Sequence, residues 1–145
     1  DFRTQFFSAN VDVLFSLHPG DFVYAQCANE PKVLHITVNG TPEWVQNRPF
    51  ATGSGDLFAY ALLQKYDLSQ LDLEAASLLA FKVIEEAIRV GAYGLGPPID
   101  VWQMRTNGGA KRLDARELAG LEDASRAVRE QETGILQRSE EQPQS

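Results

Sequence analysis

The chain has 145 residues, of which 43% are hydrophobic and 23% charged, so it can bury the core of one domain. Its formal net charge is -7 and its densest basic spot is the dipeptide Lys111-Arg112, which argues against binding to nucleic acid or anionic lipid. Cys27 is the only cysteine, which excludes an intrachain disulfide and a Cys-based zinc site. No apolar run approaches the roughly 18 residues of a membrane span, and no signal-peptide pattern is present, so we expect a cytoplasmic protein with no membrane partner.

Residues 1–20 place apolar side chains with mixed periodicity and end at His18-Pro19-Gly20, which is a clear stop signal. They predict either a helix or an extended segment. From Asp21 onward the pattern is that of strands. Residues 22–28 are rich in aromatic and other strand-favouring types and predict a first strand, and residues 29–32, which include Asn and Pro, predict a turn.

A second strand is predicted at 33–38, where alternation places the apolar side chains of the even-numbered residues on one face. Asn39-Gly40 is a strong signal for a short hairpin turn. Residues 43–51 predict a third strand, which Pro49 makes edge-like or bent. The three strands therefore predict an antiparallel meander.

Two helices are predicted next. A glycine-flanked turn at 51–56 leads into the first helix at 57–66, and Asp72 is a plausible N-cap for the second, which Gly91 ends. The second helix has a wide apolar stripe with a period of 3.6 residues. The stripe consists of Ala76, Leu79, Ala80, Val83, Ile84, Ala87 and Ile88.

The rest of the chain predicts a loop, two strands and a last helix. Five of the residues 91–98 are Gly or Pro, strands are predicted at 99–105 and 110–113, and Asn107-Gly108-Gly109 predicts the turn between them. The order β-β-β-α-α-β-β-α groups strands with strands, which predicts an α+β fold with a mostly antiparallel sheet.

Asp114 and Glu117 have the spacing of a capping box at the start of the last helix. That helix carries a second apolar stripe, formed by Leu118, Leu121, Ala124 and Val128. The pattern fades after Gly134, so we predict a single domain over residues 1–138 and a disordered tail at 139–145.

Few residues are candidates for catalysis or metal binding. Neither His18 nor His35 has a His, Asp or Glu neighbour at metal-ligand spacing, and we expect no metal and no cofactor. His35 is interpreted as structural and Cys27 as a small buried residue. A nucleophilic Cys27/His35 pair stays open, because nothing in the sequence sets its geometry.

Other groupings have simpler interpretations. The glycine-rich loop at 91–96 follows a helix and precedes a strand, whereas a phosphate cradle requires strand, loop and then helix. Two carboxylate pairs are interpreted as solvated helix faces rather than catalytic acids: Asp67 with Asp72, and Glu85 with Glu86. Three aromatic residues, for which core packing is the ordinary role, are alternative markers of a subunit contact. They are Trp44, Phe50 and Trp102.

Four pieces of the chain occur in an informative order: Pro31 to Gly40, Ala51-Thr52-Gly53-Ser54-Gly55, Leu73 to Ala76 at the start of the long helix, and Gly96 to Val101. In this order and spacing, over roughly residues 21–104, the chain resembles the proteasome β-subunit family of the N-terminal-nucleophile hydrolases. Short Gly-Ser-Gly turns are common, so the resemblance rests on the order of the pieces.

The resemblance implies a four-layer α-β-β-α sandwich, of which this chain would supply the C-terminal half. It also implies a threonine-type peptidase, in which the hydroxyl of an N-terminal Thr attacks the peptide bond and its free amine acts as the base. The expected partners are unfolded polypeptide substrates and proteasome-like subunits in a homo- or hetero-oligomeric ring.

Ser54 matches the serine of the family's Gly-Ser-Gly turn, which lies beside the threonine amine. A hydroxyl between two glycines can approach another backbone closely and orient a neighbouring amine. The other interpretation of Ser54 is a cap for the helix that begins near Leu57. Both roles stay open at this point.

The chain departs from the family in two places. It begins at Asp1 and has no Thr there, so we expect a processed, trimmed or partial gene product whose nucleophile lies in a missing N-terminal half. Active members also carry an Asp and a Ser in the loop after the long helix, where this chain has Ala92 and Leu95. The alternative hypothesis is therefore a non-catalytic subunit that keeps the fold for ring assembly.

Overall fold

The computed structural model describes residues 21–27, 29–46, 48–106 and 108–140. Its elements follow the predicted order of three strands, two helices, two strands and one helix, and the α+β class with small antiparallel sheets is confirmed. The chain divides into two compact units. The sheet unit contains the described residues up to Gly53 together with 104–110, and the helical unit contains 54–103 and the described residues from Lys111. The segment predicted at 1–20 lies outside the described residues.

The sheet unit is built on an antiparallel meander. It consists of β1 (Phe22–Cys27), β2 (Pro31–Ile36) and β3 (Pro42–Val45), in the spatial order β1-β2-β3. Phe22 pairs with Ile36 and His35 pairs with Glu43, which fixes the register of both hairpins. The predicted meander is therefore confirmed over these residues.

The second and third strands are displaced from their predicted bounds. The amide of Gly40 donates to the Thr37 carbonyl at 2.8 Å, and Gly40 has a φ of 77°, so the tight turn takes up Thr37 and Val38. β3 ends at Val45, well before the predicted limit at residue 51. The turn therefore begins two residues earlier than the alternation of polar and apolar residues predicts.

Both faces of β2 carry a buried side chain. Ile36 is 1% exposed on one face, and His35 is buried on the other. On the Ile36 face, Tyr24, Leu34 and Trp44 lie in register across the three strands, and Trp44 is 60% exposed. One end of this face therefore presents aromatic side chains to solvent.

The helical unit contains α1 (Asp56–Leu63), α2 (Leu73–Arg89) and α3 (Ala115–Glu140). A two-stranded sheet of β4 (Trp102–Arg105) and β5 (Gly109–Arg112) precedes α3. α1 contacts α2, and α2 contacts α3. Among the described residues, no helix combines the length and the apolar character needed to cross a bilayer.

The predicted helix caps are confirmed. The Asp72 carboxylate accepts a hydrogen bond from the amide of Ala75 at 2.8 Å, so one of the free amides in the first turn of α2 is satisfied. At α3, the Glu117 amide donates to Asp114 at 2.8 Å and the Asp114 amide donates to Glu117 at 2.9 Å. This is the reciprocal pairing of a capping box.

The buried face of α2 differs from the predicted stripe. Val83 and Ala87 are buried as predicted, but Ala76, Ala80 and Ile84 are exposed. Their places are taken by Ser77, Phe81 and Lys82, which are all buried. The prediction missed Ser77 and Lys82 because it admitted only apolar residues, whereas both polar side chains have hydrogen-bonding partners.

Those partners are specific. The hydroxyl of Ser77 donates to the Leu73 carbonyl at 2.7 Å and accepts a hydrogen bond from the Gln103 side-chain amide at 2.9 Å. Lys82 is paired with Glu86 and lies 3.6 Å from Glu132 on α3. Burial alone would lower the pKa of Lys82, but the hydrogen bond and charge of Glu86, together with the charges of Tyr66 and Glu132, outweigh it and raise the pKa.

A second polar cluster joins α2 to α3. One oxygen of Glu85 accepts hydrogen bonds from the Ser125 hydroxyl at 2.7 Å and from the Arg129 guanidinium at 2.6 Å. Ser125 is fully buried. Glu85 was interpreted from the sequence as part of a solvated helix face, but it is half-buried and holds two residues of the neighbouring helix.

Replacing this carboxylate tests the importance of the cluster. We expect Glu85→Ala to lower the free energy of unfolding by about 2 kcal/mol, because the hydroxyl and the guanidinium lose a charged acceptor at a buried position. Urea denaturation of the full chain measures the change. Glu122→Ala is the control, since Glu122 is exposed and lies 3.9 Å from Arg126, and it is expected to cost less than about 0.5 kcal/mol. Equal effects of the two variants would contradict the assigned role.

Candidate functional site

The turn that carries Ser54 has an unusual backbone. Gly53 has a φ of 98°, a conformation that favours glycine over other residues. Gly55 occupies the N-cap position of α1, and no described side chain caps that helix. Ser54 therefore does not serve as the helix cap, and its exposed hydroxyl makes no hydrogen bond to a described residue.

The loop that follows α2 is the neighbour of this turn in the helical unit. A Cβ atom built on Gly94 would lie 3.3 Å from Ser54 Oγ, so the serine hydroxyl sits directly against the backbone of the loop. Gly94 also has a φ of 79°, which other residues rarely adopt. Glycine at this position lets the two segments approach closely.

A second contact lies beside the first. A Cβ atom built on Gly55 would overlap Cδ1 of Leu95, so the leucine side chain occupies the space that glycine leaves. The loop itself is held by backbone hydrogen bonds from the Ala92 amide to the Ala87 carbonyl and from the Leu95 amide to the Ala92 carbonyl, both 3.1 Å long. Ala92 is buried. The turn and the loop thus form one tightly packed structure.

The chemistry available there follows from these groups. Ser54 presents one hydroxyl, which can accept a hydrogen bond from an ammonium group or donate one to a neutral amine. Ala92 and Leu95 contribute apolar side chains and no further polar group. The site can therefore orient an incoming amine, but it does not contain a base that could activate Ser54 as a nucleophile among the described residues.

The sheet unit holds a separate polar network around His35. The His35 ring is buried and lies 4.7 Å from the Phe50 ring, and its Nε2 lies 2.8 Å from Asp21 Oδ2. The same oxygen accepts a hydrogen bond from the Thr52 hydroxyl at 2.7 Å. These bonds, that of Thr52 first and that of His35 second, hold the pKa of Asp21 below its ordinary value.

The structure does not bring Cys27 and His35 together. His35 pairs with Val23 and Cys27 pairs with Pro31, so the two candidates lie four residues apart along the hairpin, roughly 13 Å. The second ring nitrogen of His35, Nδ1, is buried as well. Nδ1 is therefore not positioned to contact an external substrate in this conformation.

The remaining sequence candidates have structural roles. Asp72 caps α2, and Asp67 accepts hydrogen bonds from the amide and hydroxyl of Ser69, of which the amide bond is the larger cause of its lowered pKa. Trp44 and Trp102 are exposed, at 60% and 58%, so they do not fill a core in this chain. His18 lies outside the described residues.

Sequence reasoning missed Asp21 and Thr52. They lie 14 and 17 residues from His35 along the chain, with no motif spacing to connect them. It also assigned no contact to Gly94, although the density of glycines in 91–96 indicated a backbone under conformational constraint. Glu43 lies opposite His35 in the register of β2 with β3, which the sequence alone did not define.

The contact between the turn and the loop predicts a sensitive glycine. We expect Gly55→Ala to lower the free energy of unfolding by about 1 to 2 kcal/mol, because the added methyl group overlaps Leu95. Gly96→Ala is the matched control, since a Cβ there meets nothing within 4 Å. Adding Leu95→Ala to Gly55→Ala should recover part of the loss in urea denaturation, and no recovery would contradict the assigned contact.

The Asp21 network predicts a dependence of stability on pH. Because the pKa of Asp21 is lowered in the folded state, its contribution is present above its unfolded value of about 4 and is lost as the pH falls below it. The wild type should therefore exceed Asp21→Asn in stability by more at about pH 5 than at about pH 2.5. Thr52→Val, which removes one donor, should show part of this effect. An equal difference in stability between the wild type and Asp21→Asn at both pH values would contradict this role of Asp21.

A scan against protein-family models and a search of the curated proteins each found no match for this chain. The family therefore remains a prediction from the residues and their order. The geometry of the Ser54 turn and the 91–96 loop is the structural observation that bears on function.

Proposed function

We propose that this chain is part of a proteasome-like threonine-type peptidase subunit, in which Ser54 supports the amine of an N-terminal nucleophile. The observation that carries the proposal is the contact of Ser54 Oγ with Gly94. In the family, the Gly-Ser-Gly turn and the loop after the long helix both lie beside the nucleophile. Their approach here, although Ser54 and Gly94 lie 40 positions apart in the chain, supports the same arrangement.

The state of the Ser54 hydroxyl also supports this role. It is exposed and is not used as a helix cap, so it is available to a chain terminus that approaches the turn. In the proposed reaction the terminal amine takes the proton of the threonine hydroxyl while that hydroxyl attacks the peptide carbonyl. Ser54 would hold the amine in position through a hydrogen bond, without forming a covalent bond itself.

The proposal includes the four-layer sandwich, with the nucleophile in an N-terminal half that precedes Asp1. The face of the sheet unit that carries Tyr24, Leu34 and Trp44 supports a second sheet, because it presents large apolar side chains to solvent. Monomeric proteins seldom leave such side chains grouped and uncovered. In this proposal the substrates are unfolded polypeptides, and the subunits assemble into a ring in the cytoplasm.

A non-catalytic ring-assembly subunit is the second candidate, and Ala92 and Leu95 favour it. Active members of the family have an Asp and a Ser at these positions. Here Ala92 is buried and Leu95 packs over Gly55, so the neighbourhood of Ser54 is apolar. Such packing keeps the fold of the turn without a second polar group beside the nucleophile.

Peptide hydrolysis by the gene product that carries this chain separates the two candidates. We expect turnover of fluorogenic peptides that a Thr-directed covalent inhibitor blocks. Ser54→Ala should lower kcat about 100-fold with little change in KM, since it removes only the positioning of the amine. Ser69→Ala, in another turn that precedes a helix, is the matched control and should leave kcat unchanged.

Light scattering on the same samples measures assembly. Ring-sized particles without turnover would overturn the peptidase proposal and support the assembly subunit. Particles of a single subunit without turnover would contradict both. Full activity of Ser54→Ala in an inhibitor-sensitive ring would contradict the role assigned to Ser54 alone.

A further inference from the structure

The ring of His35 has one nitrogen bonded and one nitrogen without a hydrogen bond. Its Nε2 meets Asp21 Oδ2 at 2.8 Å. Its Nδ1 is buried and has no hydrogen-bond partner among the described residues. Glu43 on β3 lies directly across the hairpin from His35, and its Oε2 is 3.7 Å from Nδ1.

The protonation of the neutral ring follows from its neighbours. Asp21 Oδ2 already accepts a hydrogen bond from Thr52, and a carboxylate can only accept, so the ring must donate to it through Nε2. The neutral ring then turns the lone pair of Nδ1 toward the carboxylate of Glu43. Nδ1 is buried, whereas the Glu43 side chain is 58% exposed, so a buried acceptor faces a carboxylate that cannot donate to it, which costs free energy.

A proton on Nδ1 reverses this interaction. The ring becomes a cation with donors on both nitrogens, and Glu43 becomes an acceptor of opposite charge. A displacement of about 1 Å brings the two atoms to hydrogen-bond distance. We propose that Asp21, His35 and Glu43 form a proton-operated latch, in which uptake of a proton by His35 ties β3 to β2.

Arg48 lies near the same aromatic ring as His35. Its guanidinium is 5.9 Å from the centre of the Phe50 ring, and among the described residues no hydrogen bond joins it to the His35 ring. On β1, the residue opposite His35 is Val23, which is uncharged. Among the described residues, the carboxylates within 4 Å of the ring nitrogens are those of Asp21 and Glu43, and the lowered pKa of Asp21 favours its ionised form in mild acid.

The latch holds only while both ring nitrogens of His35 carry a proton, so the stability that it adds is lost when the proton leaves. Mildly acidic conditions therefore hold the β3 edge of the sheet more tightly. The latch is independent of the proposed peptidase function.

The test compares the full chain with Glu43→Gln at about pH 5.5 and about pH 8, by urea denaturation and amide hydrogen exchange. Glu43→Gln should raise the unfolding equilibrium constant roughly two- to five-fold more at the lower pH, because only there does it remove an ion pair. Glu30→Gln is the matched control, since Glu30 is a carboxylate of the same unit that pairs with Lys32 and not with the ring. Its effect should be the same at both pH values.

Exchange at the amides of β3 gives a local measure of the same change and should quicken in Glu43→Gln at the lower pH. Adding His35→Gln should abolish the pH dependence of the Glu43→Gln effect. If that variant does not fold, the comparison of Glu43→Gln with Glu30→Gln decides alone. An effect of Glu43→Gln that does not change with pH, or that matches the control, overturns the latch.

Discussion

The candidate site depends on the packing of the Ser54 turn against the loop that follows α2. A Cβ at Gly55 would overlap Leu95, and a Cβ at Gly94 would lie 3.3 Å from Ser54 Oγ, so a side chain at either glycine would force its neighbour to shift. The left-handed conformations of Gly53 and Gly94 make the two turns that permit this packing. The start of α1 and the loop after α2 are therefore packed together through the side chains of Ser54 and Leu95. Any role of the Ser54 hydroxyl depends on this arrangement.

Polar side chains form specific contacts between α2 and α3. Glu85 binds Ser125 and Arg129, while Lys82 lies between Glu86 and Glu132. Each charge has a partner of opposite sign, which is the condition under which burial of a charge is tolerated. The pairs that cross between the helices select one alignment, because a shift by one turn would separate Glu85 from Ser125 and Arg129. Specific alignment is a property that purely apolar stripes provide less well.

Local sequence rules predicted the helices and strands, whereas tertiary contacts determined which residues are buried. The Asp114 and Glu117 capping box needs only a spacing of three residues, so it could be predicted from the chain alone. The buried face of α2 could not, since Ser77 is buried through Gln103, which lies 26 residues away. The candidate site divides in the same way. The Gly-Ser-Gly turn was visible in the sequence, but its contact with Gly94 depends on how the chain folds back on itself.

Both tryptophans of the chain are largely in contact with water, Trp44 in the sheet unit and Trp102 in β4. Indole emission depends on the polarity around the ring, so the free chain carries two natural probes at its surface. Unfolding in denaturant alters their surroundings little, whereas a partner that covers either ring excludes water from it. Intrinsic fluorescence of this protein is thus a poor monitor of denaturation and a direct optical signal of association, and each unit carries its own reporter.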